Sequence, residues 1–378
     1  MRNLKKIFIF FVLFFVIFLP HKALAIDVSA KYACVIDALS GKVLFEKNAY
    51  KSHSMASTTK IMTAHVALKN SSPTDIVSVS KNASGVEGSS IYLKQGEKIK
   101  MEDLLYGLML ASGNDAAVAI AEHISGSVDA FADLMNEEAK RIGVKNTGFK
   151  NPNGLDAEGH FTTAYDLAQI TREAMKNPLF CEIVKTKSRE LKNSDVGYSR
   201  YVTNHNKMLK LYPGCTGVKT GFTKKTGRCL VTSSTRDNMS IIAVTLSAPD
   251  DWNDHTKMLD FAFNNSEAVP FIKKDMVLKT VPVISGSSPD LEIIPNEDFY
   301  ILKEKLKSTS GYSLSYNLPD EIPAPIDSGT VVGFLSVMYG EEELKKIELI
   351  AKDTIEYVVP PKPDFWEILY RLFIPYGG

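Results

Sequence analysis

The chain has 378 residues, of which 44 are Lys or Arg, 44 are Asp or Glu, and 44% are hydrophobic. That length is enough for two domains, each with its own core. The balanced charge offers no concentrated basic surface of the kind nucleic-acid binding requires, so nucleic acid is excluded as a partner.

The N-terminus opens with Arg2, Lys5 and Lys6, followed by an apolar run from Ile7 to Leu19 and the triplet Ala23-Leu24-Ala25. This is the pattern of an export signal cleaved after Ala25, which makes 1–25 a signal peptide. The competing reading, an uncleaved membrane anchor, is disfavoured by the Ala-x-Ala site. Cleavage removes Arg2, Lys5, Lys6 and Lys22 and no acid, so the mature chain is slightly acidic. The cysteines Cys34, Cys181, Cys215 and Cys229 lack C-x-x-C spacing. An exported chain could pair them, but Cys34 reads as a strand-core residue and free buried thiols are expected. The histidines show no metal-ligand spacing, so neither a metal nor another cofactor is expected.

Tyr32 to Phe45 reads as a hairpin turning at Ser40-Gly41. Helical periodicity follows over Thr58–Asn70, Met101–Ala111, Asp115–Ile124 and Val128–Ile142. It returns from Thr163, a plausible N-cap, to Lys176, where Asn177-Pro178 stops it. Strand patterns then cover Thr216–Gly221, Arg228–Ser234 and Ser240–Ala248, ahead of a helix over Asp250–Asn264. Strands at both ends of a helical middle predict an α+β domain over 26–265, an antiparallel sheet covered by helices. Beyond it, short alternating segments separated by Gly, Pro and Ser predict a small β-rich domain over 266–359, with no catalytic set. Residues 360–378 comprise the stiff linker Pro360-Pro361-Lys362-Pro363 and a short amphipathic stretch. In that stretch Asp364, Glu367 and Arg371 share one helical face, and Phe365, Trp366, Leu369, Leu372 and Phe373 cover the rest. It is too short to span a bilayer but suits the membrane interface, the alternative being a helix packed back on the body.

Three motifs carry chemistry: Ser57-Thr58-Thr59-Lys60, Ser112-Gly113-Asn114 and Lys219-Thr220-Gly221. Serine acyl transfer without histidine needs a nucleophile, a base one helical turn away, a second hydroxyl and a cation for an anionic substrate. Ser57 stands at a helix N-terminus, which taken alone is an ordinary N-cap position. Lys60 acts as base only when neutral; burial, the helix N-terminus and Lys219 all push its pKa down. Lys219 and Thr220 suit a substrate's terminal carboxylate, and Gly221 allows close backbone approach. Decoys exist at Ser78…Lys81, Ser80-Lys81-Asn82, Ser315-Tyr316-Asn317 and Lys225-Thr226-Gly227. Ser78 and Lys81 follow a strand pattern, in which residues three apart point to opposite faces. Lys225 to Gly227 reads as a hairpin turn.

At these residues the chain resembles the low-molecular-weight penicillin-binding proteins, the serine-type D-alanyl-D-alanine carboxypeptidases of peptidase family S11. The resemblance runs from about Ile26 to Asn265 and includes Asp37–Leu44, Met55–Thr63, Ala111–Ala116, Asn151–Asp156, His160–Ala164 and Gly217–Thr223. Ser54 and Thr226 depart from the usual pattern. The resemblance implies a penicillin-binding/β-lactamase-like fold and removal of the terminal D-alanine from stem peptides ending in D-Ala-D-Ala. It also implies acylation by β-lactams. The export signal and the C-terminal amphipathic stretch together place the protein outside the cytoplasm, peripheral on the outer face of the cytoplasmic membrane. The resemblance further implies that Ser112 relays a proton to the leaving amine, and that Asn114 binds the substrate backbone and helps position Lys60. The backbone amides of Ser57 and Phe222 would form the oxyanion hole. Two rivals are a serine β-lactamase, for which Glu173…Asn177 is a formal but misplaced deacylation motif, and a non-catalytic wall-binding protein. The intact set of Ser57, Lys60, Ser112, Asn114 and Lys219 argues against the second.

Overall fold

The computed structural model describes residues 26–192, 197–305, 309–359 and 366. The export signal and nearly all of the C-terminal segment expected above lie outside the described residues. Strands β1 (Tyr32–Asp37) and β2 (Val43–Lys47) form the expected antiparallel hairpin. Its turn holds Gly41 at φ +72, which glycine adopts without strain. Among the described residues six helices of eight residues or more follow: α1 (Lys60–Asn70), α2 (Met101–Leu110), α3 (Asn114–Ser125), α4 (Val128–Ile142), α5 (Ala164–Ala174) and α6 (Pro178–Lys185). The chain then returns through β3 (Cys215–Thr223), β4 (Gly227–Arg236) and β5 (Met239–Leu246) to α7 (Asp251–Asn265).

The five strands form one antiparallel sheet in the order β2-β1-β5-β4-β3. Side chains alternate across a strand, and the core follows that alternation. Cys34, Ile36, Val231, Ile242 and Val244 face the helical layer of α1 to α6. Ala33, Val35, Leu230, Ile241 and Ala243 face Met258, Leu259 and Ala262 of α7. The sheet is therefore buried on both faces, and β3 is left at an edge, bordering the site described below.

Two local expectations need correction. Residues Ala56–Thr59 form a 3₁₀ turn, and the α-helix begins at Lys60. Ser57 is thus inside a tight turn and is not an N-cap. Asn177-Pro178 does end one helix, but it also starts another: the Asn177 side chain accepts from the amides of Leu179 and Phe180, and Pro178 takes the first helical turn. Thr163 caps α5 as expected, accepting from the Asp166 amide.

The second domain is β-rich. Strands β6 (Ser266–Ile272) and β9 (Phe299–Glu304) pair with each other. Strands β7 (Lys279–Ile284), β8 (Asp290–Pro295), β10 (Tyr312–Asn317), β11 (Ile322–Pro323), β12 (Val331–Tyr339) and β13 (Glu342–Ala351) make a six-stranded sheet ordered β10-β12-β13-β8-β7-β11. It has its own core of Leu291, Ile293, Leu335, Val337, Ile347 and Leu349. The first domain passes straight into the second: α7 ends at Asn265 and β6 begins at Ser266. A largely buried Arg172 on α5 grips Glu342 of β13 at 2.8 and 3.0 Å and donates to the Leu39 carbonyl. Lys42 pairs with Glu304 at 2.9 Å.

Candidate active site

The 3₁₀ turn brings Ser57 to the wall of a cleft of about 650 Å³, lined also by Ser112, Thr220, Gly221 and Phe222. Ser57 is half-buried, whereas Lys60, one turn on, is wholly buried. Lys60 Nζ lies 2.9 Å from Ser57 Oγ and 2.8 Å from Asn114 Oδ1, and it also bonds the Asn153 carbonyl. Burial, reinforced by the positive charge of Lys219, holds the Lys60 amine well below the usual lysine range. A neutral amine has two N–H donors and one lone pair. The two carbonyl oxygens occupy the two donors, so the lone pair is directed at the Ser57 hydroxyl. That arrangement is a base aimed at its proton.

The amide of Asn114 is oriented by the same network. Its Nδ2 donates to the Glu87 carbonyl at 2.6 Å, which leaves Oδ1 toward Lys60. Ser112 lies in the break between α2 and α3 at φ +62, a left-handed conformation for a residue with a side chain. Asp115 secures the opposite wall by accepting from Ser90 Oγ and the amides of Ile91 and Leu93.

Behind the nucleophile, Ala56 sits at φ +47. Its carbonyl accepts from Thr59 Oγ1 at 2.7 Å, and Thr59 Oγ1 is 2.8 Å from His160 Nε2. His160 Nδ1 accepts from the Lys150 amide at 3.1 Å, so Nε2 carries the proton and donates to Thr59. Burial pushes His160 down to about 4, keeping it neutral. Gly154 presses against the same turn: a Cβ there would stand 2.1 Å from the Ala56 oxygen.

On the far wall, Lys219 is buried and its amine is pushed down to about 7 by desolvation. It donates to the Thr220 carbonyl at 3.0 Å. A Cβ at Gly221 would come within 3.0 to 3.1 Å of Thr58 N, Met55 O and Ser57 N, so the edge strand closes on the turn only because this residue is glycine. The structure therefore gathers Ser57, Lys60, Ser112, Asn114, Lys219, Thr220, Gly221 and Phe222 around one cleft.

The decoys fall elsewhere. Ser78 is exposed at the end of a three-residue strand, and Ser80 caps the short helix after it. Ser315 lies on β10 of the second domain, and Lys225 to Gly227 makes the β3–β4 turn. Glu173 is paired with Arg141 and Lys176 on the helical layer and is not among the residues lining the cleft. The two departures from the family pattern touch each other: Thr226 Oγ1 donates to Ser54 Oγ at 2.7 Å. Sequence reasoning placed Asn153 and His160 within the resembling segments but gave them no role: the Asn153 backbone carbonyl holds Lys60, and His160 steadies the turn. It missed Arg228, Asp251 and Trp252, which line the cleft mouth. Among the described residues there is no cluster of His, Cys, Asp and Glu able to hold a metal, and the four cysteines form no disulfide. Cys34 and Cys229 are buried, while Cys181 and Cys215 are half-buried.

A sheet covered by helices on both faces, with a Ser–Lys pair beside its edge strand, defines a serine acyl-transfer enzyme of penicillin-binding type. The chain belongs to the D-alanyl-D-alanine carboxypeptidase family, peptidase S11, which matches residues 19–250. Residues 267–357 match the C-terminal domain of penicillin-binding protein 5. The chain is 37% identical over 336 residues to the D-alanyl-D-alanine carboxypeptidase DacF of Bacillus subtilis, covering 86% of each. Among solved structures it is similar to penicillin-binding protein 5 of Haemophilus influenzae, with a TM-score of 0.63, 28% identity, and coverage of 88% of this chain and 99% of that one. It is also similar to the PBP3 of Streptococcus pneumoniae, titled a peptidoglycan synthesis regulatory factor, with a TM-score of 0.72, 26% identity, and coverage of 88% and 100%.

Proposed function

We propose that this protein is a serine D-Ala-D-Ala carboxypeptidase that trims the terminal D-alanine from peptidoglycan stem pentapeptides and is acylated by penicillin at Ser57. The observation that carries the reading is the buried Lys60 amine, its lone pair aimed at Ser57 Oγ from 2.9 Å. Lys60 takes the Ser57 proton as Oγ attacks the carbonyl carbon of the scissile amide. The oxyanion that forms is held by the backbone amides of Ser57 and Phe222, each such donor contributing on the order of 3 kcal/mol to the transition state. Collapse breaks the C–N bond, and the departing amine takes a proton relayed from Lys60 through Ser112. Water then attacks the ester and restores Ser57. Asn114 holds the substrate backbone, and Lys219 with Thr220 receives its terminal carboxylate. The β-lactamase alternative lacks support, since Glu173 is engaged with Arg141 and Lys176.

The functional parts in this reading are a signal peptide 1–25, a catalytic domain 26–265, a β-rich domain 266–359 and a membrane-associating segment 360–378 on the outer face of the cytoplasmic membrane. Exposed Ile284, Tyr357, Val358 and Val359 cluster where the described chain approaches that segment, which favours an apolar surface there. No helix among the described residues is long and apolar enough to cross a membrane. The test is mass spectrometry of the mature protein with penicillin and, separately, with a pentapeptide ending in D-Ala-D-Ala. The expected results are a slowly hydrolysed adduct on Ser57 and loss of one alanine. Rapid penicillin turnover with the peptide untouched overturns the reading.

A further inference from the structure

The loop from Glu87 to Leu93 borders the cleft, and the chemistry above uses it only as a wall. Ser89 lines the cleft. Asn114 binds this loop twice, its Nδ2 donating to the Glu87 carbonyl at 2.6 Å and its main-chain amide to the Ser89 carbonyl at 2.7 Å. The buried Asp115 carboxylate accepts from the Ser90 hydroxyl and from the amides of Ile91 and Leu93. Ile91 and Leu93 are buried, and Tyr92 between them is turned outward with 80% of its surface exposed. Its backbone lies at φ +61, in the left-handed region that glycine and asparagine enter readily and a bulky residue does not. That conformation is held from both sides. The Tyr92 amide donates to Ser90 Oγ at 2.8 Å, and Arg200 Nη2 donates to the Tyr92 carbonyl at 3.0 Å. Arg200 is itself buried and forked onto the buried Glu97 at 2.6 and 2.7 Å.

Asp115 and the Arg200–Glu97 pair thus fix a strained tyrosine whose ring lies in solvent. An outlier kept under such constraint points to a task at the surface. A second ring stands beside it: the Tyr198 hydroxyl lies 3.5 Å from the same Arg200 nitrogen that holds Tyr92, and its ring lies 5.1 Å from Lys94 Nζ.

We infer that Tyr92, with Tyr198 beside it, forms a carbohydrate-stacking subsite that takes a pyranose ring of the glycan strand carrying the stem peptide. A pyranose presents a face of weakly positive C–H groups, which suits the negative face of an aromatic ring. Tyrosine supplies that area at small conformational cost, and its hydroxyl can bond those of the sugar. The distances agree. Tyr92 is three residues beyond Ser89, so its Cα stands at most about 11 Å from the cleft wall. In a pentapeptide cut before its last residue, four residues separate the scissile bond from the sugar, a reach of at most about 14 Å. The sugar therefore arrives at this rim when the scissile carbonyl reaches Ser57.

This inference rests on the carboxypeptidase reading, and the experiment separates the two. Release of D-alanine is measured with a free pentapeptide ending in D-Ala-D-Ala and with the same peptide carried on its amino-sugar disaccharide. The full mature chain is compared with Tyr92→Asn, Tyr92→Phe, Tyr198→Ala and Tyr201→Ala. Wild type should favour the disaccharide-bearing peptide through a lower KM. Tyr92→Asn, which suits the left-handed backbone and should melt no lower than wild type, should reduce that advantage by about 3- to 10-fold, the range of one aromatic contact. It should leave kinetics on the free peptide unchanged. Tyr92→Phe should retain most of the advantage because it keeps the ring, and Tyr198→Ala should lose part of it. Tyr201 is also exposed but follows Arg200 on the strand Arg200–Thr203, so it points to the opposite face, and its loss should change nothing. Equal cleavage of the two substrates by wild type, equal slowing of both in Tyr92→Asn, or a matching loss in Tyr201→Ala overturns the sugar subsite. A wild-type protein that cleaves neither substrate and is not acylated by penicillin overturns the underlying reading instead.

Discussion

Gly154→Ala tests how tightly the nucleophile's turn is clamped. Gly154 has φ +87, and an added Cβ would lie 2.1 Å from the Ala56 oxygen, 2.5 Å from the Ala56 carbonyl carbon and 2.9 Å from the Ser57 nitrogen. Ordinary contact begins at 3.4 Å, so backbone must retreat by about 1.3 Å. Neither side can yield harmlessly. The Ala56 carbonyl is tied through Thr59 to His160, and Asn153 next to Gly154 supplies the carbonyl that holds Lys60. Movement of the turn displaces Ser57, and movement of the loop releases Lys60. A misplacement of about 1 Å costs on the order of 10²-fold in rate, so acylation by penicillin should fall by about that factor. The left-handed backbone costs a further ~1–2 kcal/mol of stability. Gly143→Ala isolates that second effect, since Gly143 has φ +89 and a Cβ added there would meet no atom within 4 Å. It should lower the melting temperature while acylation proceeds normally. Stopped-flow acylation and thermal melts of both variants make the comparison, and a Gly154→Ala protein acylated at the wild-type rate would refute the clamp.

Lys60→Ala should nearly abolish acylation, and in the wild type activity should fall at acid pH as the depressed Lys60 amine takes up its proton. Lys219 is pushed down to about 7, so kcat/KM for substrates with a free carboxylate should decline as pH rises above about 7. Carboxylate binding, which raises that pKa, should be accompanied by proton uptake, seen in calorimetry as a buffer-dependent enthalpy; no buffer dependence would remove Lys219 from the subsite. His160 titrates near 4 when folded against about 6.5 when unfolded, so the unfolded chain binds the extra proton between those values. Its contribution, about 3 kcal/mol, is present above pH 6.5 and lost as pH falls toward 4. Melting temperatures of wild type and His160→Gln across that window should converge at acid pH. A chain ended at Val359 should lose co-sedimentation with liposomes and keep full peptidase activity, with weak salt dependence of the intact protein's binding. Equal sedimentation of the two would eliminate the anchor.

The Ser57–Lys60 pair was legible because a spacing of three in a helical context places two side chains on one side whatever surrounds them. Lys219 and Gly221 were legible for a related reason, since strand alternation and a glycine at a point of close approach leave marks in the sequence. Asn153 was not, because it acts through its main-chain carbonyl, which every residue type possesses. Arg228 and Asp251 lie 23 positions apart and meet only through the β4–β5–α7 connection. The start of α6 was hidden because Asn177-Pro178 signals a stop for the preceding helix as strongly as a cap for the next. In the second domain the β-rich texture was legible but two of its strands leave weak marks: Pro270 interrupts the pattern of β6, and Phe299–Glu304 of β9 shows an apolar run in place of clean alternation.

The junction between the two domains has a consequence for how the enzyme would search its substrate. With no spacer between Asn265 and Ser266, with Lys42 paired to Glu304 opposite Ser266, and with Arg172 gripping Glu342 as a second tie between the domains, the cleft cannot swing freely about its support. A tethered catalyst on a floppy leash samples a hemisphere. One on a stiff post sweeps a thin shell at constant height as it diffuses laterally. Under the proposed attachment, the length of the β-rich domain becomes a ruler: it selects the layer of an immobile polymer mesh whose peptides are within reach, and leaves deeper and shallower strands untouched however reactive Ser57 is.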